Sequence, residues 1–310
     1  MSNEKFPLDL APLGVFLTSE KSGVLAVIIN VEGPSYRPVG AVMAIFEDGS
    51  STGSLSSGCV EADIKLNAQY CLKSGSPSVV KYGRGSPYLD IVLACGGGLE
   101  ILLIPSPCRE VIGKILKVVV SDRQACAFEI NTDTGKIVLS SQGAIGLIGS
   151  TFRTVVVPEL RFLVFGQGPE AVTFAALSQA TGFGTTLLSP DPATLQSTRG
   201  LSCETFELTR SRVPNSISVD SRTAIVLFFH DHDWELGILA DTLATSAFYI
   251  GAQGSLRARD NRLAALSEQG FGEVDLARLH GPIGLINSAK DPRTLAISVL
   301  AEIVSFAVVT

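Results

Sequence analysis

From residue 161 onward the chain alternates regularly between strand-like and helix-like segments, and this constrains its fold more than any other feature. Residues 161–165 (RFLVF) are a run of β-formers, 169–181 is helical in pattern, and 184–189 is a strand again. The apolar runs 223–229 and 247–252 and the helical stretches 234–245 and 256–269 continue the alternation. Such a chain joins parallel strands through crossover helices, so a parallel sheet covered by helices is predicted.

The first strand-to-helix junction reads Gly166-Gln167-Gly168-Pro169-Glu170-Ala171, a GxGxxA turn of Rossmann type. Glycines in that position permit a tight turn and bring a pyrophosphate close to a helix N-terminus. Gly166, Gly168 and Ala171 are therefore candidate nucleotide-binding residues, with Asp191 as the candidate ribose acid. His230 and Asp231, in His230-Asp231-His232-Asp233, follow a strand at the end where open α/β sheets place ligands. Two features oppose dinucleotide binding. Pro169 has no N–H to offer a phosphate. The second strand ends in Ser189, and Asp191 comes later than the usual acid, about 20 residues on. A retained scaffold and an NAD(P) site weigh about equally on these residues. The HxH pair lacks an evident third ligand and reads as a polar loop, with no metal expected. His280 reads as structural.

The first 158 residues have a different character. Runs at 25–31, 41–46 and 51–55 read as strands, with a hairpin turn at 47–50. Val60, Ile64, Ala68, Cys71 and Leu72 fall at helical spacing, and Ser74-Gly75-Ser76-Pro77 ends that helix. Residues 89–95 and 99–105 read as two strands joined through Gly96-Gly97-Gly98. The stretch 111–120 is ambiguous, and strands are expected at 125–131, at 135–141 and around Ile145. This region is read as the end of a first domain, 1–158, plus a linker, with a second domain at 159–310.

Two places in that first part carry chemistry. In Gly53-Ser54-Leu55-Ser56-Ser57-Gly58-Cys59, small residues lead straight into a helix. The positive end of its dipole favours an anion, and the same field favours Cys59 as a thiolate ligand or nucleophile. Glu61 would cap that helix if Gly58 were its N-cap. In Cys95-Gly96-Gly97-Gly98, a cysteine at a strand end precedes three glycines, an unfavourable run unless the backbone must bend or meet a ligand. Cys59 and Cys95 are expected to face one pocket, with Arg37 as an anion partner.

Composition narrows the class further. The 310 residues are 46% hydrophobic and 17% charged, enough for packed cores. Lys and Arg total 24 against 30 Asp and Glu, with no basic block, so nucleic-acid binding is not expected. The N-terminus lacks an apolar signal core, and the greasiest stretches are too short or too interrupted to span a bilayer. A cytoplasmic protein with reduced thiols is expected, and none of the six cysteines has zinc-site spacing.

Taken in order, GPSYRPVGAVM, GSLSSGCVEADI, LACGGGLEILLIP, FGQGPEAV, HDHDWEL, YIGAQGSLRARDNRLAAL, HGPIGL and DPRTLAISVLAEI resemble the XdhC/CoxI family over most of the chain. These are accessory factors of xanthine dehydrogenase and related molybdenum hydroxylases. The resemblance implies an N-terminal α+β domain followed by a Rossmann-like doubly wound sheet. It implies a chaperone that binds molybdenum cofactor, promotes its sulfuration with a cysteine desulfurase, and delivers it to the apo-enzyme without turnover of its own. Cofactor-binding residues on this reading are Arg37, Gly53, Ser54, Ser57, Gly58, Cys59, Glu61, Cys95, Gly96 and Gly97. The alternatives are an NAD(P)-dependent oxidoreductase and a protein-interaction scaffold with no bound small molecule. Ser57 stands where the family has a glycine, Pro169 where it commonly has histidine, and Ser189 where it has an acid. The apolar tail would pack in its own core or at a homodimer interface.

Overall fold

The computed structural model describes residues 8–83, 96–141, 145–230 and 232–309. The chain forms two compact units, Met1–Pro158 and Glu159–Thr310.

The first unit opens with α1 (Ala11–Thr18), β1 (Gly23–Glu32), β2 (Val42–Phe46) and β3 (Ser51–Thr52). Next come α2 (Gly58–Ser74), β4 (Ser78–Gly83), β5 (Gly98–Pro105) and α3 (Arg109–Leu116). Strands β6 (Cys126–Asn131), β7 (Ile137–Leu139), β8 (Gly146–Ile148) and β9 (Thr151–Val156) complete it. β1 to β5 make an antiparallel sheet in the order β3-β2-β1-β5-β4. α2 lies on one face, where Ile64, Ala68 and Cys71 pack with Ala26, Met43 and Ile101. The other face carries Leu25, Val27 and Leu102, which share a core with Phe16, Ile112, Phe128 and Phe152. That core is closed by a second antiparallel sheet in the order β7-β6-β9-β8.

Residues 109–156, read from sequence as including a linker, are thus part of the first unit's core. The ambiguous stretch resolves into α3 and a π-type turn at Lys117–Ser121. Its helical face buries Ile112, Ile115 and Val119, which is why strand periodicity never emerges there. The expected strand at 51–55 stops at Thr52, because Leu55 turns into the α2 core instead. The expected strand at 89–95 lies outside the described residues.

The second unit runs β10 (Arg161–Gly166), α4 (Pro169–Ala180), β11 (Gly184–Ser189), α5 (Pro192–Ser197) and β12 (Glu204–Glu207). It continues with β13 (Thr223–Phe228), α6 (Glu235–Leu243), β14 (Tyr249–Ala252), α7 (Leu256–Glu268), α8 (Glu273–Leu276), β15 (Leu279–His280) and α9 (Pro292–Val309). Its strands are all parallel, in the order β12-β11-β10-β13-β14-β15. The order reverses beside β10, as in a Rossmann fold. β13 is buried at every position, as expected of a parallel strand covered on both faces. One face packs with α4 and α9 through Phe162, Phe174, Val299 and Ile303. The opposite face packs with α6 and α7 through Ile225, Leu239 and Leu266. The apolar tail therefore contributes Val299, Ile303 and Ala307 to its own unit's core.

Candidate functional site

The registers of the first sheet bring most of the candidate residues to one end. Glu32 at the end of β1 and Gly83 at the end of β4 both pair with Gly98 at the start of β5, and Val42 at the start of β2 pairs with Val27. The loop 33–41 holding Arg37, the glycines Gly96 and Gly97, and the loop 53–57 into α2 thus leave the sheet at the same end. Gly33 has a φ of +75°, and a Cβ built there would lie 3.5 Å from the Gly97 Cα, so these two backbones run side by side. Arg37 is exposed, and its guanidinium donates to the Tyr36 carbonyl at 3.2 Å. Cys95 lies outside the described residues.

The loop into α2 holds its own shape. Leu55 is fully buried and anchors it in the core. One oxygen of Glu61 accepts from the Ser54 hydroxyl at 2.7 Å and from the Leu55 and Ser56 amides at 3.2 and 3.3 Å. Ser57, not Gly58, is the N-cap, so Glu61 braces the loop rather than capping Gly58. Gly58 follows with a φ of +55°, a conformation that suits glycine. Gly53, at φ +90°, has a packing reason to be glycine: a Cβ would come within 2.6 Å of Pro12 and 2.7 Å of the Val42 carbonyl. The Ser57 side chain makes no capping bond, and Cys59 stands exposed in the first turn. The braced loop therefore presents a thiol beside the positive end of a 17-residue helix.

The other described cysteines differ from it. Cys71 and Cys126 are buried, and burial raises both thiol pKa values. Cys108 is exposed, but it follows β5 at the opposite end of the sheet.

In the second unit, the glycine turn is satisfied from within. The Gln167 amide donates to the Phe228 carbonyl at 3.2 Å, and the Gly168 amide donates to the Thr194 hydroxyl at 2.9 Å. Thr194 is oriented by Asp191, whose carboxylate accepts from the Thr194 hydroxyl at 2.5 Å and from the amides of Thr194 and Ala193. Asp191 is thus the N-cap of α5, with Pro192 at the first helical position. Hydrogen bonds from Thr194, chiefly from its hydroxyl, lower the Asp191 pKa. Gly166 is required by strand packing, since a Cβ would meet the Phe228 carbonyl at 2.5 Å. Ala171 is fully buried.

A carboxyl group already stands at this helix start. The Glu170 carboxylate lies beside Gly168, and His230 Nε2 is 3.6 Å from its Oε2. A pyrophosphate would face a carboxylate and two spent amides, followed by a proline nitrogen. Asp231 lies outside the described residues. His280 is structural, as expected: it stacks on Tyr249 at 4.6 Å and meets Phe306 edge-on. Sequence reasoning missed Thr194 and Glu170. The Asp-Pro pair at 191–192, a helix-start signature, was the available clue to the first.

These features define a two-unit α/β protein. A braced, thiol-bearing sheet end stands in one unit, and a Rossmann-like sheet with an internally satisfied glycine turn forms the other. Residues 162–303 match the family model of the XdhC Rossmann domain, and residues 16–83 match that of the XdhC and CoxI family. The molybdenum cofactor insertion chaperone PaoD of Escherichia coli (strain K12) is 32% identical over 290 residues, covering 93% of this chain and 85% of its own. A Bacillus subtilis (strain 168) protein named as a probable xanthine dehydrogenase subunit is 24% identical over 324 residues, covering 94% of this chain and 95% of its own. A crystal structure from Bacillus halodurans described as a xanthine dehydrogenase shares the fold. Its TM-score is 0.77 at 22% identity, covering 96% of this chain and 95% of that one. The chain belongs to the XdhC and CoxI family.

Proposed function

We propose that this protein is a molybdenum cofactor chaperone. It binds the cofactor at the thiol-bearing end of the first unit, supports its sulfuration together with a cysteine desulfurase, and delivers it to the apo-form of a xanthine dehydrogenase-type molybdenum hydroxylase. It works in the cytoplasm as a homodimer. The observation that carries the reading is the exposed Cys59 at the start of α2, on a loop braced by Glu61. The name of the 32%-identical relative points the same way.

The donor set suits this cargo. Molybdenum cofactor offers a soft, dithiolene-bound metal and a terminal phosphate. A thiolate matches the metal, while a guanidinium and helix-start amides match the phosphate. Cys59 is the thiol, and Arg37 is the exposed cation at the same sheet end. Gly96 and Gly97 let backbone come close, and Cys95 is the proposed second thiol. Gly53, Ser54 and Glu61 set the loop's shape, and Ser57 and Gly58 set the helix start.

The test is reconstitution of an apo molybdenum hydroxylase with free cofactor, with and without the full chain. Faster or fuller recovery of activity is expected with the wild type, and its loss with Cys59→Ala. Equal recovery with and without the wild type would refute the delivery role.

A further inference from the structure

The loop that follows β12 carries a feature that the cofactor-handling site does not use. A cavity of about 500 Å³ opens there, with Arg210, Arg212 and Asn215 as polar walls, Pro214 and Ile217 as apolar ones, and Asp241 of α6 at its side. A smaller recess of about 230 Å³ adjoins it through shared residues and adds Phe206 and Leu208. β12 runs parallel to its neighbours, so this loop leaves the sheet at the carboxyl end of the strands. Parallel α/β sheets place small-molecule sites at that end.

The loop is fixed in place. The Asp241 carboxylate accepts from the Val213 amide at 2.9 Å and from Arg212 at 2.9 and 2.7 Å. The Ser211 hydroxyl donates to the Trp234 carbonyl at 2.8 Å. Gly237 lacks a Cβ where the Ser211 backbone carbonyl presses on α6. Asp241 thereby neutralises Arg212. Arg210 is exposed, and among the described residues its guanidinium has no hydrogen bond or ion pair. The lining is left with one surplus positive charge on a rigid support.

We infer that this cavity binds an organic phosphate monoester, with Arg210 as its principal anion ligand. The Arg210 guanidinium takes the phosphate through charge-assisted hydrogen bonds, while Arg212 stays forked to Asp241 at the cavity's side. The volume lies in the range of small-molecule sites, about 300–1,000 Å³, so there is room for an organic body against Pro214 and Ile217. The glycine turn does not serve this ligand, because the Phe228 carbonyl and the Thr194 hydroxyl occupy its amides and the Glu170 carboxylate lies beside Gly168. The cavity lies wholly in the second unit, so binding there and cofactor binding by the first unit are separable in one sample.

The test is calorimetric titration of the full chain at constant ionic strength with three probes: AMP, inorganic phosphate and benzoate. Saturable AMP binding is expected, tighter than that of phosphate or benzoate. Arg210→Gln should weaken it about tenfold or more, whereas Arg257→Gln, an equal charge change at an exposed position of α7, should leave it unchanged. Thermal unfolding of both variants checks that each is folded. Failure of AMP to saturate by about 10 mM, benzoate binding as tight as AMP, or equal weakening by the two variants would each overturn the assignment.

Discussion

The buried ion pair between α6 and α7 supplies a stability prediction whose size follows from geometry. Arg262 Nε donates to Glu235 Oε2 at 2.7 Å, and its NH2 donates to Oε1 at 2.8 Å, a two-point fork. The side chains are 4% and 0% exposed, and Arg262 also reaches the Gln253 carbonyl beyond β14. Arg262→Met leaves the Glu235 carboxylate buried without its fork, which costs about 3–5 kcal/mol. For a unit of this size that corresponds to a fall in Tm of about 6–20 °C. Replacing both partners, Glu235→Leu with Arg262→Met, removes both charges together and should cost no more than about 2 kcal/mol. The assay is urea unfolding followed by the fluorescence of Trp234, the single tryptophan, which adjoins Glu235 and stacks on Phe229. A loss below about 1 kcal/mol for Arg262→Met, or a double variant less stable than the sum of the single losses, would refute the reasoning.

Other consequences follow from the same structure. Arg109 donates to the carbonyls of Phe16, Leu17, Ser19 and Lys21, so Arg109→Ala should destabilise the first unit by about 1.5–3 kcal/mol in denaturant unfolding. Gly166→Ala drives a methyl into the Phe228 carbonyl and should cost about 1–3 kcal/mol in the Trp234 assay. Burial lowers the His280 pKa below 6.5, so between that value and the lowered folded one the unfolded chain binds more protons. Stability is therefore complete above pH 6.5 and falls as pH drops below it, and His280→Phe should flatten that slope in pH-dependent unfolding. NAD⁺, which carries no phosphate monoester, should leave the Tm unchanged at about 1 mM, since a bound ligand raises it by mass action. A saturable upward shift would show that the glycine turn opens.

Much of the fold was legible because burial imposes period. α2 announces itself through Val60, Ile64, Ala68 and Cys71, and all four are buried. β13 reads as a strand because all its positions are covered. Elements with less burial left weaker traces. β12 is short and mostly exposed, and β4 begins with two exposed residues. α1 contains Pro12 and Gly14, which mask its helical character. At the site, the composition of the Gly53–Cys59 loop marked its location, but not the division of labour within it. That Glu61 braces the loop while Cys59 faces solvent depends on where each side chain turns, which spacing leaves open. The same is true of Glu170: a GxGxxA pattern specifies a turn, and only the folded chain shows a carboxylate seated over it.

The most direct measurement is anaerobic equilibrium binding of purified molybdenum cofactor to the full chain, with Cys59→Ala and Cys108→Ala as the decisive pair. Both cysteines are exposed, at opposite ends of one sheet. We expect stoichiometric binding by the wild type and by Cys108→Ala, and marked weakening by Cys59→Ala with its unfolding curve unchanged. No binding by folded wild type, or equal binding by both variants, would contradict a cofactor site at the start of α2.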